Sequence, residues 1–166
     1  MSGEQRISRR AELICVLLLL ALGFAVRLAA LGSLPAGLNQ DEASAGYDAW
    51  AILNYGIDRC GNSLPVLLES WGSGQNALLS YLAMPFIALF GLSAVTLRLP
   101  MALSGCASLV FMWLLARRAR GVRFGLAALL FLAVCPWHIM ATRWALESNL
   151  LPAALIAAVY FTALSE

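Results

Sequence analysis

Asp41 and Glu42 stand side by side in the stretch LNQDEASAGYDAWAILNYG, just after the first long apolar run. Carboxylates are costly to place among apolar residues, so a pair there calls for a task. An ionised carboxylate within reach of a hydroxyl can take its proton as a general base. Three arginines, Arg27, Arg98 and Arg143, and a further acid, Glu147, fall near the ends of apolar runs. Arginine grips phosphate oxygens in a two-point fork. Phosphate-holding arginines beside a carboxylate base would suit a lipid-phosphate substrate. A plainer reading stays open, because acids are also favoured in the first turn of any helix.

The elements that must position these residues are membrane helices. The chain has 166 residues, 61% hydrophobic and 12% charged, with mean hydropathy +0.81. Soluble domains carry about 25% charged residues, so an integral membrane protein is expected. All 11 basic residues are arginine. Arg6, Arg9 and Arg10 precede the first apolar run, and Arg117, Arg118, Arg120 and Arg123 form a second cluster. Asp41, Glu42, Asp48, Asp58 and Glu69 all lie between the first and second spans. Spans are read at about 11–31, 94–116, 124–141 and 150–164. Basic clusters favour the cytoplasmic side, so both belong there and the chain crosses an even number of times between them. The apolar stretch 76–92, interrupted by Pro85, is therefore read as an interfacial or re-entrant helix. As a short true span it would put four arginines outside.

The expected architecture is an all-α polytopic membrane protein. About four transmembrane helices are joined by an external loop, 32–93, that carries two interfacial helices, 40–55 and 76–92. In the first of these, Asn39 and Glu42 have the spacing of a capping box, and Gly56 is placed to end the helix. Tyr47 and Trp50 suit a headgroup interface. A flexible segment at 71–74 (WGSG) precedes the second helix. A cleaved signal peptide is the weaker reading of the N-terminus, since the apolar run is long and Arg27 interrupts the cleavage zone. Cys15, Cys106 and Cys135 lie in spans without metal-ligand spacing, and Cys60 is alone in the loop. His138, the single histidine, is read as a satisfied interfacial residue. The chain contains no Walker loop and no dinucleotide fingerprint, and nothing points to nucleic acid.

The run RLAALGSLPAGLNQDEASAGYDAWAILNYG resembles the first external loop of the GT-C-fold, polyprenyl-phosphate-sugar glycosyltransferases. These are the relatives of protein O-mannosyltransferases and of the lipid A aminoarabinose transferase (glycosyltransferase family 39). LRLPMALSGCASLVFMWLLARRARG is similar to that family's second span, and ATRWALESNLLPAAL to the element that follows. The resemblance implies that Asp41 is the base of an inverting transfer, with Glu42 as an accessory acceptor-binding carboxylate. It implies that Arg143 and Glu147 approach the active site. Where many relatives carry a His-Pro-Pro or Lys-Pro-Pro element, this chain has Gly72-Ser73-Gly74-Gln75-Asn76-Ala77-Leu78, without a basic residue. The family's catalytic module also has many more spans, so an N-terminal portion, inactive alone, is expected.

The function expected is transfer of a sugar from a polyprenyl-phosphate donor to a lipid, glycan or protein acceptor at the outer face of a bacterial plasma membrane. The N-terminus would be cytoplasmic, Asp41 the base, and Arg27, Arg98, Arg143 and Glu147 substrate contacts. A divalent metal is left open as a cofactor but not indicated, because the acids form no obvious ligand set. The competing expectation is a non-catalytic membrane protein, or a carrier that binds an anionic lipid headgroup. A carrier would show internal repeats or broken spans with polar groups at mid-membrane, whereas the polar residues here gather at one interface.

Overall fold

The computed structural model describes residues 8–70 and 72–165. Arg6, of the N-terminal basic cluster, and Trp71 lie outside the described residues. The protein is mostly helical, and among the described residues three helices are long and apolar enough to cross a membrane: Arg9–Leu28, Ala94–Val134 and Glu147–Leu164.

Helix α1 (Arg9–Leu28) starts where the Ser8 side chain accepts the Ala11 N–H. Its 20 residues rise roughly 30 Å, the thickness of a bilayer's hydrocarbon core. Helix α2 (Gln40–Tyr55) has the bounds read from the sequence. Asn39 and Glu42 form a reciprocal capping box, and Gly56 ends the helix in the left-handed region. Strands β1 (Leu67–Ser70) and β2 (Ser73–Asn76) form an antiparallel hairpin with Leu68 opposite Gln75. The hairpin is an addition to the otherwise helical fold: Ser73 and Gly74, read from the sequence as part of a flexible segment, open β2. Gly72, at φ +74°, takes a conformation suited to so short a turn. Helix α3 (Leu78–Phe90) is shorter than the expected 76–92 and contains Pro85.

Helix α4 (Ala94–Val134) opens with a Ser93–Thr96 capping box. It is two limbs, because the backbone leaves helical geometry at Arg120 and Gly121. Gly121 adopts φ +80°, ψ −176°, a region open essentially to glycine alone. The limbs then run back along each other. Gly125 lies so close to Arg117 that an added Cβ would sit 2.9 Å from the arginine's own Cβ, and Leu109 packs with Leu129 and Ala133. The expected gap between spans, 117–123, is thus mostly helix with a very tight reversal. The expected continuous span 124–141 is also corrected. It breaks at Cys135, whose extended backbone (ψ 112°) is what the following Pro136 demands. The short helix α5 (Pro136–Ala141) follows, then a 3₁₀ turn (Glu147–Leu150) and α6 (Leu151–Leu164).

The two ends of this bundle differ in charge. Arg117 in α4 forms an ion pair with Glu12 in α1, which puts the start of α1 and the α4 reversal at one end, with Arg9, Arg10, Arg118 and Arg120. The opposite end holds the end of α1, the α2–α3 pair and the start of α4. There Ala49, Leu79, Ala83, Ile87, Leu97, Met101 and Ala145 form one apolar core. A second cluster of Val16, Leu109, Leu129 and Ala133 ties α1 to both α4 limbs. A third, of Ile52, Leu68 and Ala77, seats the hairpin on α2.

Candidate functional site

The six residues singled out from the sequence divide sharply by environment. Glu42 is fully buried. Its Oε1 accepts from Arg98 Nε at 2.8 Å and from the Ala145 N–H at 2.9 Å. Its Oε2 accepts from Arg98 Nη2 at 2.9 Å and from the Asn39 N–H at 3.2 Å. Burial pushes this carboxyl's pKa up, but the bonds from Arg98, Ala145 and Asn39 outweigh it and hold the group below the ordinary carboxylate value. Four donors on two oxygens leave it little capacity for an acceptor substrate.

Arg98, on the first turns of α4, is equally enclosed. Beyond Glu42, its Nη1 donates to Leu31 O at 3.1 Å and Pro35 O at 2.9 Å, and its Nη2 to Gly37 O at 2.5 Å. A guanidinium has five N–H donors, and here each has an acceptor. The fork therefore ties the 31–37 loop to the α2 capping box.

Arg143 does the same for α1. The last carbonyls of a helix have no partners inside it. Arg143 Nη1 donates to Val26 O at 2.7 Å and Arg27 O at 3.1 Å. Its Nη2 reaches Ala29 O at 2.8 Å, Ala30 O at 3.3 Å and Leu34 O at 2.8 Å. Burial, and then the nearby charge of Arg98, lower the pKa of this guanidinium.

Arg27 closes the break before Pro136. Proline has no N–H to offer Leu132 O, four residues earlier. Arg27 Nη2 supplies one at 2.9 Å, and Nη1 reaches Ala133 O at 3.2 Å. Its Nη2 also lies 2.8 Å from His138 Nδ1. Because arginine only donates, that nitrogen is the acceptor and His138 Nε2 carries the proton. All three arginines read from the sequence as substrate contacts thus hold carbonyls of their own chain. The structure places them as framework rather than as an open phosphate clamp.

Asp41 is the exception. It lies in the first turn of α2, one residue before the locked Glu42, yet it is exposed and makes no hydrogen bond or ion pair within the described residues. Glu147 is half-buried and accepts from Gln75 Nε2 at 3.0 Å. Gln75 carried no signal in the sequence, where its segment stood out only for lacking a basic residue. A further buried acid, Asp48, accepts from the Arg59 N–H at 3.0 Å and pairs with the Arg59 side chain at 3.5 Å. Burial raises its pKa above the ordinary value despite Arg59. Among the described residues, no group of histidine, cysteine or acidic side chains could hold a metal ion.

This arrangement holds the exposed Asp41 carboxylate on a mount anchored through its neighbour to α4 and to the 142–146 segment, at the acid-rich end of an apolar bundle. A carboxylate so mounted can take a proton from a hydroxyl brought within hydrogen-bond reach. No family model matches the chain, and neither a curated protein nor a solved structure matches it.

Proposed function

We propose that this chain is the N-terminal part of a glycosyltransferase that moves a sugar from a polyprenyl-phosphate donor to an acceptor hydroxyl at the outer face of a bacterial plasma membrane. The observation that carries the reading is the division of labour in Asp41-Glu42. Glu42 is buried and fully bonded, whereas Asp41 is held out, exposed and unbonded. Two helix-start acids with no task beyond capping would not need one of them welded by a buried arginine to two other elements.

In the proposed reaction Asp41 takes the proton of the acceptor hydroxyl as its oxygen attacks the sugar's anomeric carbon. The bond from that carbon to the lipid phosphate breaks, and the phosphate leaves with the electron pair. Attack opposite the leaving group inverts the centre. Because Arg27, Arg98 and Arg143 are bonded to their own chain, the donor phosphate is assigned to none of them. The same occupancy counts against a carrier that grips an anionic headgroup through these arginines.

The topology proposed has the basic end in the cytoplasm, with α1, the two limbs of α4 and the 147–164 segment as four crossings, and the α2–α3 pair at the outer interface. The exposed arginines Arg9, Arg10, Arg118 and Arg120 at one end, and the acid-rich opposite end whose arginines are bonded to their own chain, support it. The test is the Asp41→Asn variant of the full-length enzyme, assayed for sugar transfer in membranes. Transfer at the wild-type rate would remove the base and favour a non-catalytic membrane protein.

A further inference from the structure

Gln75 is only 6% exposed. It faces inward from β2 opposite Leu68, which packs against Ile52. Its Nε2 donates to Glu147 Oε2 at 3.0 Å. The amide thus turns its NH₂ to Glu147 and its carbonyl oxygen away. That oxygen, Oε1, is buried and has no hydrogen-bond partner among the described residues. A buried acceptor without a donor destabilises a fold, and such groups are rare unless something else supplies the donor. A methionine would fill the same space without that cost. Glu147 Oε1 also bonds to nothing among the described residues.

The place of this pair matters as much as its chemistry. Glu147 follows Ala145 by two residues, and the Ala145 N–H is bonded to Glu42, the neighbour of Asp41. One short segment therefore connects the anchor of the candidate base to a pair of unfilled acceptors. Two acceptors on bonded neighbours, neither with a donor among the described residues, complement a group rich in donors, such as adjacent hydroxyls of a sugar ring. We infer that Gln75 and Glu147 read the hydroxyls of a carbohydrate bound beside Asp41, with Gln75 as a specificity-determining residue. The identity of the ligand rests on the transferase reading above. The pair itself rests on the unpartnered amide oxygen.

The test uses the full-length protein in lipid nanodiscs and three probes: a polyprenyl phosphate, and the same lipid carrying a hexose or a pentose. Wild-type protein is expected to bind at least one sugar-bearing probe more tightly than the bare lipid. Gln75→Met should weaken that probe about tenfold, the scale of one lost neutral hydrogen bond, with bare-lipid affinity unchanged. Gln75→Asn, which keeps an amide but shortens its reach, should fall between. Unchanged affinity for the sugar-bearing probes in Gln75→Met would overturn this inference alone, leaving the amide oxygen to water. Equal weakening of all three probes would make Gln75 a framework residue and also overturn it. Loss of wild-type binding on chelation with EDTA would put a cation between the acceptors and overturn it as well. Failure of wild-type protein to bind any of the three would instead bring down the transferase reading, and the sugar assignment with it.

Discussion

Arg98 Nε and Nη2 reach the two oxygens of Glu42 at 2.8 and 2.9 Å, and neither side chain has any exposed surface. This two-point pair joins the first turn of α4 to the first turn of α2 across 56 residues of chain. Removing one partner leaves the other charged and buried, a change that costs about 3–5 kcal/mol. Arg98→Met should therefore lower the thermal unfolding midpoint in detergent far more than Arg118→Met, a change to an exposed arginine at the other end of the bundle. Equal midpoints for the two variants would show that the pair contributes nothing to stability.

The same pair sets a pH dependence. Glu42 has a folded pKa below its ordinary value of 4.5. The stability it contributes is present above that value and is lost as pH falls through the lower, folded one. Asp48 works in the opposite sense. Its folded pKa is raised above 3.8, so the fold gains from protonating it as pH falls. Net acid destabilisation should thus be shallower than Glu42 alone would give. Glu42→Gln should flatten the acid limb of a stability–pH curve below about pH 4.5. An acid limb as steep in that variant as in the wild type would refute the assignment.

Arg143 gathers five carbonyls from the end of α1 and the turn after it. Lysine keeps the charge but not the planar fork. Arg143→Lys should raise amide exchange in residues 28–37 by an order of magnitude or more, as the cost of local opening falls, while the α1–α4 interior near Val16 and Leu109 stays protected. Unchanged exchange in 28–37 would mean that other contacts hold the turn.

Much of this fold was legible because its signals are local. The α2 bounds follow from Asn39, Glu42 and Gly56, whose effects reach no further than one helical turn. The apolar runs and the arginine cluster 117–123 likewise marked where the chain turns back. The hairpin was not legible. Its strands are four residues each, its turn region resembles a flexible linker, and its position is set by Leu68 packing on Ile52 and Ala77. The arginines were only half legible. Their place near helix ends can be read, but their partners cannot. Arg27 serves carbonyls 105 and 106 residues away, exposed by a helix break that depends on Pro136. For the same reason, the sequence marked Glu42 as a capping residue and gave no sign that it is also locked to Arg98.

Orientation can be checked with a native thiol. Cys60 is exposed and lies in the loop between α2 and the hairpin, at the acidic end. Slight desolvation by its neighbours, and then the charges of Glu69 and Asp58, raise the pKa of this exposed thiol, so it should react faster as the pH is raised through 8 and above. A membrane-impermeant maleimide applied to intact cells should label it. Labelling only after permeabilisation would place this end, and Asp41 with it, in the cytoplasm.

The central claim is that Asp41 acts while Glu42 holds. Its most direct measurement is the single-turnover rate of sugar transfer by the full-length enzyme, comparing Asp41→Asn with wild type at matched amounts of folded protein in the membrane. The account predicts a rate lower by at least two orders of magnitude, the usual contribution of a general base. It also predicts an unfolding midpoint close to that of the wild type, since the exposed Asp41 side chain makes no hydrogen bond or ion pair among the described residues. Transfer at an undiminished rate in a normally folded Asp41→Asn protein would contradict it.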